Sequence, residues 1–370
     1  MGLMEASARL IRQSDMVACK LAFIDCKMPG STLKENYSLI GAGVTQSADQ
    51  VVNITEPHGF SLGVAAMPPG VTNNLHVHYT AEVFMVYSGT WVFRWGADGR
   101  DGEIIGGPGD VVSVPTWIFR GFSNIGNDHG WIFTALGGDD TGGIIWHPSI
   151  LSQAAEHGLY LTKDNMLVDT DAGQPRPDDS DLMPPLDRDT IESLRRFTPE
   201  QMRRRVVTRA ERPWSAHALL DSVLPGHASR IAPVIGHGMT QDLSQTPQIA
   251  NPHGFSMEWL IVEPGCTVGP FQLAEQMVLM VFQGAITVTL DDAAALPVAE
   301  REVFSVPAQS WRSIANPGTA AAEIAVVITG DQKKHITWPA EIIDAAARLD
   351  VGVDHSGYLA PQRLLPARAA

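Results

Sequence analysis

Within the stretch VTNNLHVHYTAEVFMVYSGTW, residues 71–91, two histidines and a glutamate stand at even spacing in an otherwise apolar run: His76, His78 and Glu82. Side chains at i and i+2 of a strand share a face, so His76 and His78 project together, and Glu82 keeps that parity if no bulge intervenes. Two imidazoles and a carboxylate that converge make a ligand set for a divalent cation and leave coordination positions open. The blander alternative, which an isolated His-x-His would favour, is three polar residues on a solvated strand face.

The elements that must position these residues are short. Runs such as FSLGVAAM, EVFMVYSG, TWVFRW and DVVSVP alternate in polarity and are broken by Gly, Pro and Asn turns, the pattern of an all-β sandwich or barrel. The pattern occurs twice. GAGVTQ at 41–46 returns as GHGMTQ at 236–241, PHGFSL at 57–62 returns as PHGFSM at 252–257, and Gly89 returns as Gly284, all 195 residues on. DVVSVPTWIFRGFSN at 110–124 returns as EVFSVPAQSWRSIAN at 302–316, now 192 residues on, so a three-residue deletion separates the two blocks. Two copies of one β domain follow.

A chain of 370 residues exceeds what one core usually supports, in keeping with two domains. With 44% apolar and 18% charged residues and no apolar run near the ~20 that a membrane helix needs, a soluble protein is expected. The N-terminus lacks the apolar core of a secretory signal and reads as a short amphipathic arm. Cys19, Cys26 and Cys266 have neither an even count nor a metal-ligand spacing, so no disulfide framework is expected and the cytoplasm fits best. A net charge of -15 opposes nucleic acid, since the one basic cluster, Arg203 to Arg205, lies beside Glu200 and Glu211 in a helical pattern.

The residues resemble the cupin superfamily in its two-domain (bicupin) form, with quercetinase-like and gentisate-dioxygenase-like members. The first cupin motif is met in full by Gly70, His76, His78, Glu82 and Gly89. The second is met in part: Gly109, Pro115 and Asn124 are in place, but Trp117 stands where a Gly belongs and Arg120 where a fourth, metal-binding His belongs. The resemblance implies two tandem double-stranded β-helix (jelly-roll) barrels, all-β, with a partly helical linker. The expected organisation is an arm over 1–20, a metal-binding barrel over 21–165, a linker over 166–217, a metal-free barrel over 218–350 and a loosely held tail over 351–370. Thr198, Pro199 and Gln201 form a capping-box signature for a linker helix. A homodimer or larger homo-oligomer is expected by the same resemblance.

The repeat serves as an internal control. The counterparts of the three ligands are Phe271, Leu273 and Met277, so the second barrel should hold no metal. His58 recurs as His253 in that barrel and therefore reads as a turn residue, whereas His147 has no counterpart and is an outside candidate near the metal. Arg120, the candidate catalytic residue, could grip a substrate carboxylate or enolate, but it recurs as Arg312, which favours a structural ion pair. Trp91, Phe93, Trp95 and Trp117 are core aromatics or the wall of a substrate pocket. The expected cofactor is one divalent metal per chain, Fe(II) first, with Mn, Ni or Zn as alternatives. The resemblance implies a dioxygenase that uses O₂ to cleave a C–C bond of an aromatic or enolisable small molecule. The alternatives are a metal-dependent lyase, isomerase or decarboxylase, or a non-catalytic small-ligand binder.

Overall fold

The computed structural model describes residues 3–366 and divides into two compact units. The first runs from Met16 to Ala210; the second joins the residues before Met16 to those from Glu211 onward. Each is built of two main sheets. In the first unit a seven-stranded sheet has the order 206–207, 111–114, 82–88, 130–137, 60–67, 35–40, 52–54, and a five-stranded sheet has the order 144–146, 72–78, 120–124, 91–95, 102–106. Alternating residues of both, among them Phe84 and Val86 from one sheet and Trp91, Phe93 and Phe122 from the other, meet in one apolar core. Gly89, at φ +86°, makes the turn between Glu82–Ser88 and Trp91–Trp95, and a Cβ there would lie 2.8 Å from the Gly130 Cα.

The second unit repeats this plan. Its six-stranded sheet runs 10–11, 303–306, 277–283, 322–329, 255–262, 229–235, and its four-stranded sheet 267–272, 311–315, 286–290, 296–298. The registers correspond: Glu82 opposes Val114 as Met277 opposes Val306, and Arg120 opposes His76 as Arg312 opposes Phe271. Phe271, Leu273 and Met277 lie with Leu260, Val262 and Val326 in a continuous apolar interior.

The first strand of the second unit's large sheet comes from the N-terminal arm. Leu10 and Ile11 pair with Phe304 and Val303, as Val206 and Val207 pair with Val112 and Val111. Flanking bonds match as well: the Ser305 amide donates to the Arg9 carbonyl and the Ser113 amide to the Arg205 carbonyl, both at 2.9 Å. The side chains of Arg9 and Arg205 donate to those same serines. ARLIRQSD at 8–15 and RRVVTRAE at 204–211 are thus a further part of the repeat. Each arm precedes its own unit in the chain and completes the sheet of the other. Late in the first unit the chain carries the expected helix at Pro199–Arg203 with its Thr198 and Gln201 capping box, and a second helix at Arg188–Ser193.

The C-terminal segment differs from the loosely held tail expected over 351–370. Val351–Val353 and Leu359–Pro361 form a hairpin, Leu359 packs on the core and its amide donates to the Gln241 carbonyl at 2.8 Å. Its apolar residues and backbone donors find partners that a non-periodic sequence does not announce. Residues 367–370 lie outside the described residues.

Removing residues 1–12 is expected to strip the edge from Val303–Val306. Amide exchange there should rise at least about tenfold while Val111–Val114 stays protected; equal protection in both variants would show that the arm does not hold that edge. A second expectation concerns Glu258, 1% exposed on the inward face of Phe255–Val262, its carboxylate against Gly238 and accepting from the Met239 amide at 2.9 Å. Burial pushes this carboxyl up to about 7, against the pull of the Met239 amide, Lys333 and Lys334. The unfolded chain ionises first, so stability should fall as pH rises from about 4.5 to about 7, by on the order of 3 kcal/mol, and level off above. Glu258→Gln should flatten that slope in denaturant titrations; an unaltered slope would exclude Glu258 as its source.

Candidate metal centre

His76 and His78 end the Thr72–His78 strand of the five-stranded sheet, whereas Glu82 opens the Glu82–Ser88 strand of the seven-stranded sheet. The intervening turn moves the chain from one sheet to the other, so shared strand parity does not join Glu82 to the histidines. The convergence arises across the sheets. One ligand atom from each residue lies within 4.8 Å of the others, and His78 Nε2 is 3.3 Å from Glu82 Oε2. All three are buried, at 1%, 1% and 4% exposure.

Local bonds orient the set. His76 Nδ1 lies 2.7 Å from the Asn74 carbonyl oxygen, which can only accept, so Nδ1 carries the proton and Nε2 keeps its lone pair. Burial, then His78 and Arg120, hold the His76 imidazole well below its ordinary range, and it is neutral as a ligand must be. Burial pushes Glu82 up, but His78, Arg120 and His76 outweigh it and hold the carboxyl at about 2. His78 Nδ1 is buried without a hydrogen-bond partner. Two imidazoles and an ionised carboxylate gathered out of water fit a divalent metal, and among the described residues this is the one group of three that does.

Arg120, 2% exposed, donates from Nη1 to Glu82 Oε2 at 3.4 Å and from Nη2 to the Pro115 carbonyl at 2.6 Å. Arg312 makes the equivalent Nη2 bond to the Pro307 carbonyl at 3.2 Å and further bonds to the Ser310 carbonyl. The bond to the proline carbonyl is therefore common to both units, and the bond to a ligand carboxylate belongs to the first. Burial lowers both guanidinium groups to about 10, still charged at neutral pH.

The triad opens onto a cavity of about 40 Å³, with Lys34, Asn73, Met67 and Phe122 among its walls. Of the aromatic residues considered for a substrate wall, Trp91, Phe93 and Trp95 do not line it. They form the apolar core one layer behind, where Trp91 and Phe93 pack against Phe122. Strand alternation says which face a side chain takes, not which layer of that face meets the cavity. Trp117 is 40% exposed, its ring edge-on to Tyr79 at 5.2 Å, at φ +59° where the motif's glycine would be unstrained.

His58 is a turn residue: its Nδ1 bonds the Glu56 carbonyl as His253 Nδ1 bonds the Asn251 carbonyl, both at 2.7 Å. His147 caps the Pro148–Glu156 helix, accepting at Nδ1 from the Ser149 amide, and is not one of the three gathered ligands. Lys34 and Asn73 are wall residues that motif reading missed. The signal for them was the repeat itself, which replaces them by Ser229 and Val268.

No family model matches the sequence, and no curated protein matches it. Solved structures do. The formate complex of oxalate decarboxylase from Lactobacillus farciminis aligns over 91% of this chain and 90% of that one, with a TM-score of 0.55 and 11% identity. Procruciferin, the 11S globulin of Brassica napus, aligns over 92% of both chains at a TM-score of 0.54 and 12% identity. Vicilin from Solanum lycopersicum (tomato) covers 90% of this chain and 88% of its own, with a TM-score of 0.53 and 12% identity. At such identities the likeness is one of fold and does not extend to quercetinase-like or gentisate-dioxygenase-like chemistry. The chain has the two-domain cupin fold, with a buried His-His-Glu ligand set in its first unit.

Proposed function

We propose that the first unit holds one divalent metal at His76, His78 and Glu82 and acts on a small oxygenated compound as a metal-dependent lyase, decarboxylase or isomerase. The observation that carries this reading is the size of the cavity beside the ligands. About 40 Å³ admits roughly three water-sized groups, whereas an apolar cavity that binds benzene measures about 150 Å³. A short aliphatic substrate suits that space better than an aromatic one, and the aromatic row lies behind it rather than around it. That an oxalate decarboxylase shares the fold agrees with the reading.

When bound, the metal supplies Lewis acidity, polarising a substrate oxygen and lowering the pKa of water. The chain's own residues prepare the place. The Asn74 carbonyl holds His76 in one tautomer, Glu82 supplies the negative charge, and Arg120 helps orient that carboxylate by donating to Oε2, the oxygen that also faces His78. Met67 and Phe122 keep the cavity apolar around these polar groups. A second reading, an Fe(II) dioxygenase, is favoured by one feature: Arg120 stands where a fourth protein ligand would close the coordination sphere.

Protein purified without added metal should contain about one metal ion per chain by plasma mass spectrometry, and His76→Ala, His78→Ala and Glu82→Ala should each lose it while retaining native circular dichroism. Two ions per chain, or unchanged occupancy in those variants, would refute the assignment. Turnover of small oxygenated acids should proceed equally under argon and air and should be supported by a redox-inactive ion such as Zn(II). Strict dependence on both Fe(II) and O₂ would displace this reading in favour of the dioxygenase.

A further inference from the structure

Lys34 sits in the wall of the metal cavity, immediately before Glu35–Ile40, and is 3% exposed. Its ammonium donates to Asp25 Oδ1 and, at 2.7 Å, to Asn73 Oδ1. The rings of Phe23 and Trp146 lie 5.2 and 5.7 Å from Nζ and hold the group in place. An ammonium has three N–H donors, so one remains without a protein acceptor. The Asn73 amide nitrogen is in turn 3.3 Å from His76 Nδ1. Both nitrogens carry hydrogens, so this is a contact and not a hydrogen bond, and it sets the asparagine that accepts from Lys34 beside a metal ligand.

A purely structural role for the lysine can be examined in the second unit. Asp25 Oδ2 accepts from the backbone and side-chain nitrogens of Asn74 at 3.1 and 3.0 Å, pinning the segment before Glu35 to the strand that bears the histidines. Asp221 does the same in the second unit, accepting from the Gly269 amide at 2.7 Å. The equivalence is fixed by Gln46 and Gln241, whose Oε1 atoms accept from the Ile24 and Leu220 amides. There the side chain beside the aspartate is the His227 imidazole, 23% exposed, and Lys34 is replaced by Ser229. The clamp works without a lysine in the interior. Lys34 and Asn73 accompany His76, His78 and Glu82 in one unit, and Ser229, Val268, Phe271, Leu273 and Met277 replace all five in the other.

We propose that Lys34 is the anion-binding and specificity-determining residue of this site, its spare N–H accepted by a carboxylate oxygen of a small α-oxygenated carboxylate whose neighbouring oxygen faces the ligand triad. The inference rests on the metal reading above. Charge agrees with it: Asp25 balances Lys34 and Glu82 balances Arg120, so a divalent ion leaves the cavity with a positive excess that an anionic substrate neutralises.

The test uses full-length protein loaded with Mn(II), with glycolate and its neutral isostere glycolamide titrated by calorimetry and metal content measured in parallel. Wild type should prefer glycolate by about tenfold or more. Lys34→Met should lose that preference while keeping about one ion per chain. Because Asp25 would then be left unpaired, the double variant Asp25→Asn/Lys34→Met, in which the amide oxygen still accepts from Asn74, should do the same. Variants that keep both metal and preference would overturn the role of Lys34 alone. Variants that lose metal and preference together would make Lys34 a structural prop and overturn it likewise. A wild-type protein that takes up no Mn(II) would overturn the metal reading and this inference with it.

Discussion

The constraint on which the first unit depends is the burial of charge. Glu82, Arg120, Asp25 and Lys34 are each at most 4% exposed, beside a largely apolar core. An isolated charge there would cost several kcal/mol, so each is answered within hydrogen-bond reach. Lys34 meets Asp25 and Arg120 meets Glu82, and one further donor of each goes to the Asn73 side chain and the Pro115 carbonyl respectively. The geometry around the triad follows from these pairings. The strand bearing the histidines is pinned through Asn74 to Asp25, and the facing strand is held through Glu82 to Arg120.

The second unit shows the same fold with no charge at the ligand positions, its buried charges such as Glu258, Asp221 and Arg312 lying elsewhere. Phe271, Leu273 and Met277 fill the ligand positions, and the interior closes as one apolar cluster. Its arginine keeps the bond to the proline carbonyl that both units share and bonds besides to the Ser310 and Leu273 carbonyls. Side-chain contacts common to the two units, such as the aspartate clamps and the turn histidines, are requirements of the fold. Those confined to the first unit bear on its chemistry.

Much of this was legible in the sequence because a metal-ligand motif and a tandem repeat are both local patterns. The unbroken spacing from Gly70 to Gly89 identified the triad, and the 195-residue offset foretold that Phe271, Leu273 and Met277 would be buried. What escaped the reading depends on longer-range geometry. Glu82 reaches the histidines from the facing sheet rather than along a shared strand face, so the right residues were found through an incomplete argument. The Trp91, Phe93 and Trp95 row has the alternation of a pocket wall, yet its layer is set by Phe122 standing in front of it. Lys34 belongs to no motif; it matters because the fold carries it to Asn73. The arms at 8–15 and 204–211 share too few residues to be recognised until their pairings with Val303–Val306 and Val111–Val114 are seen.

Those arms put the repeat in the sequence and the unit in space out of phase. Read along the chain, a copy begins with its arm; read in three dimensions, a unit begins just after one arm and ends with the next, as Met16 to Ala210 does. A chain consisting of a single sequence copy would carry an arm whose place is on another copy's sheet edge, and would leave its own edge open. Two such chains complete each other by trading arms, and the present protein is the covalent form of that trade. The connection between copies is thus more than a tether, because it delivers the strand that finishes the unit carrying the ligand triad.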